Sequence, residues 1–373
     1  MVGFRKSVLD ILGTVPVTDR NALLDGRLRA IAPTPPLPDG ELPGFVGRRA
    51  ATDYSVAMPF GYRPEAAAPG ASVAVVCHIY HIGLAGEIRQ YLDNIPFPAD
   101  LFVSTDTEVK RAQIARHFAD WSKGDVTTRI TPNRGRDIAP KLVGFHEVHE
   151  RYEYVLHLHS KQSWHDRRLA PWRGFLFENL LGSPAVVCSV FEAFARDPQL
   201  GMIAPQHYEY VRRWLDWGGN YAAARTVAAR MGIRISPKRA LDFPSGSMFW
   251  ARTAALKPLL DLHLAAEDFP DETGQVDGTP AHAIERLYYL ICEKAGYRWL
   301  KIARPELYLD TSTIVPIDSP MAFDRFVADH GVVLSGPHPL EVAAELPDIT
   351  SDVPPGLLAA LASRREELTQ AAE

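Results

Sequence analysis

Cysteine is scarce, and the little there is stands apart. Only three occur in 373 residues. Cys77, Cys188 and Cys292 each lie inside an apolar run (VAVVCHIY, AVVCSVF, YYLICEKA), with no two at a metal or redox spacing. A disulfide framework is thereby excluded, and all three read as reduced core residues. Long hydrophobic runs are missing too: nowhere does the chain reach the about 18 consecutive apolar residues that a membrane-spanning helix needs. The opening stretch Met1–Gly13 lacks the apolar segment and small-residue cleavage site of a secretory signal, so the cytosol is the expected compartment. Nor is there a surplus of positive charge. Forty Lys and Arg stand against 45 Asp and Glu, a formal net charge of −5, which argues against a surface that coats nucleic acid by neutralising phosphates. A local basic pocket stays open. With 46% hydrophobic and 10% aromatic residues, the chain has the material for a sizeable core.

Residues 1–69 read as a lead-in arm, with a short helix at Lys6–Leu12 and then APTPPLPDGELPG, where proline forbids helix. From Ala71 the texture becomes β-branched runs alternating with helical patterns, the signature of βαβ units and a largely parallel sheet. The predicted order is strand Ser72–Tyr80, helix Gly83–Asn94, strand Leu101–Ser104, helix Glu108–Trp121, strand Val126–Ile130, helix Pro140–Glu150 and strand Tyr154–His159. No Gly-x-Gly-x-x-Gly follows the first strand, and HIGLAG spaces its glycines wrongly, which disfavours a dinucleotide-binding dehydrogenase. The second half predicts a mixed layer: helix Ala185–Arg196, strand Met202–Pro205, a strand around Ser247–Ala251 and helix Pro280–Ala295. The fold class expected is α/β, a Rossmann-like mostly parallel sheet flanked by helices. The domain spans 70–305, with halves 70–165 and 166–305, and a C-terminal extension 306–373 ends in a helix at Pro355–Gln370.

In such sheets ligands sit outside the carboxyl ends of the strands, which directs attention to His78, Tyr80 and His81; to Ser104, Thr105 and Asp106; to Asn133, Arg134, Gly135, Arg136 and Asp137; and to His157, His159, Ser160 and Lys161. In TPNRGRDIAP, Asp137 is placed to cap the next helix and the two arginines offer planar donors for phosphate. The bland reading is a well-made loop with solvated arginines. In YEYVLHLHSKQS, His157 and His159 share one strand face near its end, where imidazoles ligate a divalent metal or donate to a diphosphate, with Lys161 adding charge. Without a third ligand nearby this is no zinc spacing, and half-buried histidines bonded to backbone explain it as well. In DFPSGSMFWART, the turn Ser245-Gly246-Ser247 lets a substrate approach the backbone or simply precedes a buried strand. In DGTPAHAIERL, Asp277 sits in a turn, Glu285 lies eight residues on, and His282 and Arg286 share a helix face. Capping and surface pairing account for the same letters.

Taken together, VAVVCHIY, STD, NRGRDIAP, HLHSK, FPSGSMFW and DGTPAHAIERL resemble the signatures of the rhamnan synthesis protein F family over about residues 70–305. The order also resembles the general GT-A glycosyltransferase plan. The resemblance implies a GT-A-type sheet with an acceptor-side layer, a nucleotide-diphospho-sugar donor such as dTDP-rhamnose, and a glycan or lipid-linked glycan acceptor in cell-surface polysaccharide or lipopolysaccharide synthesis. It places donor binding on His78, Tyr80, Asp106, Asn133, Arg134, Gly135, Asp137, His157, His159 and Lys161. The acceptor side falls to Ser245, Gly246, Ser247 and Arg286, and the catalytic group to Asp277, Glu285 and His282, with the base either Asp277 or Glu285. Where the plan has an Asp-x-Asp metal site this chain has His157-Leu158-His159, ligands less suited to Mg or Mn than carboxylates are, so the histidines with Lys161 and Arg134 are expected to neutralise the diphosphate directly. Two competing readings remain: a non-catalytic carbohydrate-binding or assembly subunit, and a metal-dependent hydrolase using the histidine pair. FRKSVLDILG is an amphipathic candidate for peripheral membrane contact.

Overall fold

The computed structural model describes residues 53–64, 70–162, 167–237, 241–272, 277–308 and 311–330. Their frame is one sheet of nine strands: β1 (Ser55–Ala57), β2 (Val73–His78), β3 (Asp100–Thr105), β4 (Val126–Ile130), β5 (Tyr154–His159), β6 (Leu200–Pro205), β7 (Phe249–Arg252), β8 (Arg298–Ala303) and β9 (Ile314–Val315). Their spatial order is β4-β3-β2-β5-β7-β6-β8-β1-β9. Every neighbouring pair is parallel except those made by β7, which runs against both β5 and β6. This is the mostly parallel α/β sheet expected, and the second half extends it.

The central strands are buried on both faces, which is why VAVVCH reads as a continuous apolar run with all six residues buried. One face is covered by α1 (Ala85–Leu92), α2 (Glu108–His117), α5 (Trp172–Leu181), α6 (Pro184–Arg196) and α10 (Pro320–His330). The other carries α3 (Ile138–Leu142), α4 (His146–Arg151), α7 (Tyr221–Arg230), α8 (Lys257–Leu260) and α9 (Pro280–Lys294). Local chemistry sets the helix starts. Thr107 caps α2 by accepting from the Lys110 amide, and Ser183 caps α6 by accepting from Val186, with Pro184 at the first helical position. Among the described residues no single helix is long and apolar enough to cross a membrane.

Strands β4 and β5 have the expected bounds, while several helices differ. The expected helix Pro140–Glu150 is two: α3 starts at Ile138, with Pro140 in the first turn where a missing amide costs nothing, and the chain breaks at Gly144. There Arg129 takes the Gly144 carbonyl, and a Cβ on Gly144 would stand 2.8 Å from Thr131. The helix expected to reach Trp121 ends at His117, because Trp121 turns inward and donates its indole N–H to the Ala99 carbonyl at 3.1 Å. The sheet also takes in residues on both sides of 70–305. β1 pairs with β8 and β9, and Met58, Phe60, Phe323 and Phe326 join the core. The segments Lys6–Leu12 and Pro355–Gln370, the proline-rich stretch and FRKSVLDILG lie outside the described residues.

Gly201 on β6 sits at the amino edge of the sheet, where a Cβ would stand 2.5 Å from Tyr297 and 2.6 Å from Ala255. Gly201→Ala is expected to lower the unfolding free energy by about 1–3 kcal/mol, as overpacking does. Urea titration checks it, and a midpoint equal to the parent's would contradict this packing.

Candidate active site

The chain runs from β2 outward to β3 and β4, then returns to β5 on the other side of β2. The crevice at such a reversal, beyond the carboxyl ends, is where α/β sheets hold ligands. Here His78 and His159 end β2 and β5 in direct register, with Ser104 of β3 beside His78. His78 Nδ1 lies 2.9 Å from Ser104 Oγ. Because β7 is antiparallel, the turn that precedes it, Ser245-Gly246-Ser247, arrives at this same edge.

That turn is the hub. Its backbone is left-handed at Gly246 (φ 93°) and at Ser247 (φ 54°), a conformation that costs a non-glycine residue energy. Four elements hold it there. Lys141 Nζ of α3 donates to the Ser247 carbonyl at 2.9 Å, and His159 Nε2 donates to the Gly246 carbonyl at 2.9 Å. The Gly246 amide donates to Glu285 Oε1 of α9 at 2.8 Å. Ser245 Oγ lies 3.0 Å from His207 Nδ1, and His207 Nε2 donates to Asp242 at 2.8 Å. A hydrolase's Ser-His-Asp relay is suggested by these last three, yet the amides that would make an oxyanion hole are spent: Gly246 on Glu285, and Ser247 on the Pro244 carbonyl.

Lys141, which the sequence reading did not select, is wholly buried at 0% exposure and pairs with Asp137 at 2.8 Å. Asp137 was expected to cap α3, but its side chain makes no cap bond; it faces Lys141 and lies 3.9 Å from His159 Nε2. Although burial alone would raise it, the His159 imidazole beside it and the Lys141 ammonium hold the Asp137 carboxyl well below the usual carboxylate range. The Asp137–Lys141 spacing of i, i+4 was the signal available.

The cations divide into two groups. Arg134, expected on the diphosphate, is tied to Asp271 at 2.8 Å, and the guanidinium of Arg173 to Glu87 at 2.9 Å. Lys110 pairs with Asp106 at 2.6 Å and lies 4.1 Å over the Tyr80 ring, which joins Asp106 and Tyr80 at the β2–β3 end. Lys161 and the exposed Arg136 differ: among the described residues no carboxylate pairs with either side chain. Both lie in one electrostatic neighbourhood with Asp137, and Glu285 and His282 adjoin it. Arg136 is a non-glycine residue at φ 55°, strain of the kind that gathers at functional sites. Gly135 also has a positive φ, 67°, and a Cβ there would stand 2.6 Å from Ala139 and Phe269. Asn133 is exposed on the same loop.

Two expected members are held elsewhere. Asp277 accepts from Asn220 Nδ2 at 2.6 Å and the Gly219 amide at 3.2 Å, so its carboxylate fastens a turn, whereas Glu285 faces the hub and its Oε2 has no partner among the described residues. Arg286 donates to the carbonyls of Asp216 and His282, and His282 Nδ1 lies 2.8 Å from Thr279 Oγ1.

His157 is the clearest correction. It is fully buried, its ring 4.9 Å from Phe249 and 5.2 Å from His149. His149 gives its Nδ1 proton to the Phe145 carbonyl, so its Nε2 accepts from His157 Nε2 at 2.9 Å. The pair His157 and His159 therefore does not face one ion, and among the described residues no three His, Cys, Asp or Glu gather as a metal's ligands would. These residues do not fit a Mg or Mn site.

Fold and site together define a Rossmann-like α/β protein whose carboxyl edge carries two cations, Lys161 and Arg136, without carboxylate partners among the described residues. Against known families, the model described as rhamnan synthesis protein F matches residues 52–297, and the chain belongs to that family. It is also similar to proteins named "Uncharacterized protein WxcX" from two strains of Xanthomonas campestris pv. campestris, B100 and ATCC 33913. Each is 37% identical over 233 residues, covering 61% of this chain and 32% of the relative. The chain thus spans about a third of the length of the curated relatives it matches.

Desolvation pushes His78, His149 and His282 down to about 4 and His159 to about 3. Folded values below the unfolded value of about 6.5 mean that the unfolded chain binds more protons between pH 6.5 and about 4. Stability is therefore expected to fall as pH drops through that window, by up to about 1.4 kcal/mol per pH unit per histidine. Denaturant titrations at pH 7.5, 6 and 5 check this; a pH-independent midpoint would contradict it. Lys141→Met is expected to cost about 3–5 kcal/mol by stranding Asp137, with much of the loss recovered in the double variant Lys141→Met/Asp137→Asn. An additive double variant would contradict the pairing.

Proposed function

We propose that this chain is a glycosyltransferase that moves a sugar, rhamnose from dTDP-rhamnose, onto a glycan or lipid-linked glycan acceptor in the synthesis of a cell-surface polysaccharide or lipopolysaccharide. Involvement in polysaccharide synthesis follows the family. The observation that carries the finer reading is that two cations with no carboxylate partner among the described residues, Lys161 and Arg136, share the sheet's reversal point with Glu285, which lies within electrostatic reach of Lys161.

In this reading the nucleoside lies toward Tyr80 and Asp106, and the diphosphate lies on Lys161 and Arg136. An acceptor hydroxyl attacks the anomeric carbon, the bond from that carbon to the diphosphate oxygen breaks, and its electron pair leaves with the diphosphate. Glu285 Oε2 takes the acceptor proton. The GT-A plan is kept in its sheet, while the leaving charge is met by fixed protein cations. A cytoplasmic enzyme at the inner membrane face fits a lipid-linked acceptor.

Incubation with a panel of nucleotide sugars and acceptor glycans tests it. Consumption of dTDP-rhamnose is expected, and Glu285→Gln is expected to lower kcat by about 10²–10⁴ while dTDP still binds. Asp277→Asn should act on stability instead. Failure to bind any nucleotide diphosphate would overturn the proposal in favour of a non-catalytic assembly subunit.

A further inference from the structure

Lys161 is held in an unusual way. Its Nζ lies 3.7 Å from the centre of the Trp172 ring, and among the described residues no carboxylate pairs with it. Its neighbours fix the stem, since the Lys161 amide donates to the His159 carbonyl at 3.0 Å and the Lys161 carbonyl accepts from Arg173 at 3.1 Å. Trp172 is itself wedged against the hub: a Cβ on Gly246 would meet its ring at 3.4 Å. Its indole N–H is buried without a partner among the described residues, so no hydrogen bond they make explains why a tryptophan stands there.

The difference between a ring and a carboxylate is one of net charge. A carboxylate would hold an ammonium firmly but cancel it, and an incoming phosphate would have to compete with the resident anion. An aromatic face attracts the cation through its quadrupole and carries no net charge, so the ammonium keeps its full field for a ligand. The other lysines of this edge are paired, Lys141 with Asp137 and Lys110 with Asp106.

Resting on the function proposed above, we infer that Trp172 is a positioning residue: it aims the Lys161 ammonium at the donor diphosphate without neutralising it. Tryptophan binds cations best among the aromatic residues and leucine offers no π face. dTDP affinity should therefore fall in the order parent, Trp172→Phe, Trp172→Leu, the last by about tenfold, equivalent to about 1.4 kcal/mol. Side-chain size falls in the same order, so the Lys161→Met background separates the two causes: a packing loss persists there and a cation–π loss does not.

The test is isothermal titration of dTDP and of inorganic pyrophosphate into the parent, both Trp172 variants, Lys161→Met and Lys161→Met/Trp172→Leu. The expected result is the graded loss above, and no further loss from Trp172→Leu once Lys161 is gone. Equal affinity in Trp172→Leu, or the same loss in the Lys161→Met background, would overturn the inference and leave the transferase reading standing. If the parent binds neither ligand, that reading falls, and the inference falls with it as a statement about a diphosphate. The geometry has a separate readout in ¹³C-methylated lysines. The Lys161 methyl resonance, identified by its loss in Lys161→Met, should lie upfield under the Trp172 ring and return to the ordinary position in Trp172→Leu. An ordinary position in the parent contradicts the inference whether or not nucleotide binds.

Discussion

A single backbone turn, Ser245-Gly246-Ser247, is what the site depends on. It is left-handed at two successive residues, and the strain, on the order of 1–3 kcal/mol for a non-glycine position, persists because the surroundings over-determine it. Lys141 and His159 take its carbonyls, Glu285 its amide and His207 its hydroxyl. Those four groups come from α3, β5, α9 and the segment after β6. One short turn thus sets the mutual position of the loop after β4, the end of the switch-point strand and the helix that carries the candidate base. It also feeds β7, the one strand that runs against its neighbours.

Around this hub charge is divided by purpose. Asp137–Lys141 and the network of Asp242 with Lys301 and His207 are compensated pairs, half-buried or buried, and such pairs fix geometry more than they add stability. Lys161 and Arg136 are left uncompensated by the described residues. Under the proposed function, a departing diphosphate would meet both arrangements: rigid paired charges behind, unpaired ones in front. Desolvation keeps the buried histidines neutral, so they serve as directional donors and acceptors.

The parallel sheet was legible because β-branched runs such as VAVVCH and YVLHLH are buried on both faces and leave no periodicity to misread. β1 and β9, three and two residues long, were illegible because so short a piece carries no pattern, and β8 hid behind Lys301, a charge tolerated in a strand because Asp242 meets it at 2.8 Å and Asp53 at 3.6 Å. α5 was missed because it is buried nearly all round. Which arginine of NRGRD faces outward depends on Asp271, 137 positions from Arg134, and which carboxylate is free depends on Asn220 holding Asp277. His157 looked like a partner for His159 because strand periodicity puts them on one face; burial depth along that face separates them.

The most direct measurement is the position of dTDP bound to the protein, determined by crystallography. The expected result is the diphosphate oxygens within hydrogen-bond distance of Lys161 Nζ and the Arg136 guanidinium, with Glu285 facing the side where the sugar would attach. A diphosphate seated on Arg134, or anywhere away from the ends of β2 and β5, would contradict the assignment of this edge as the donor site.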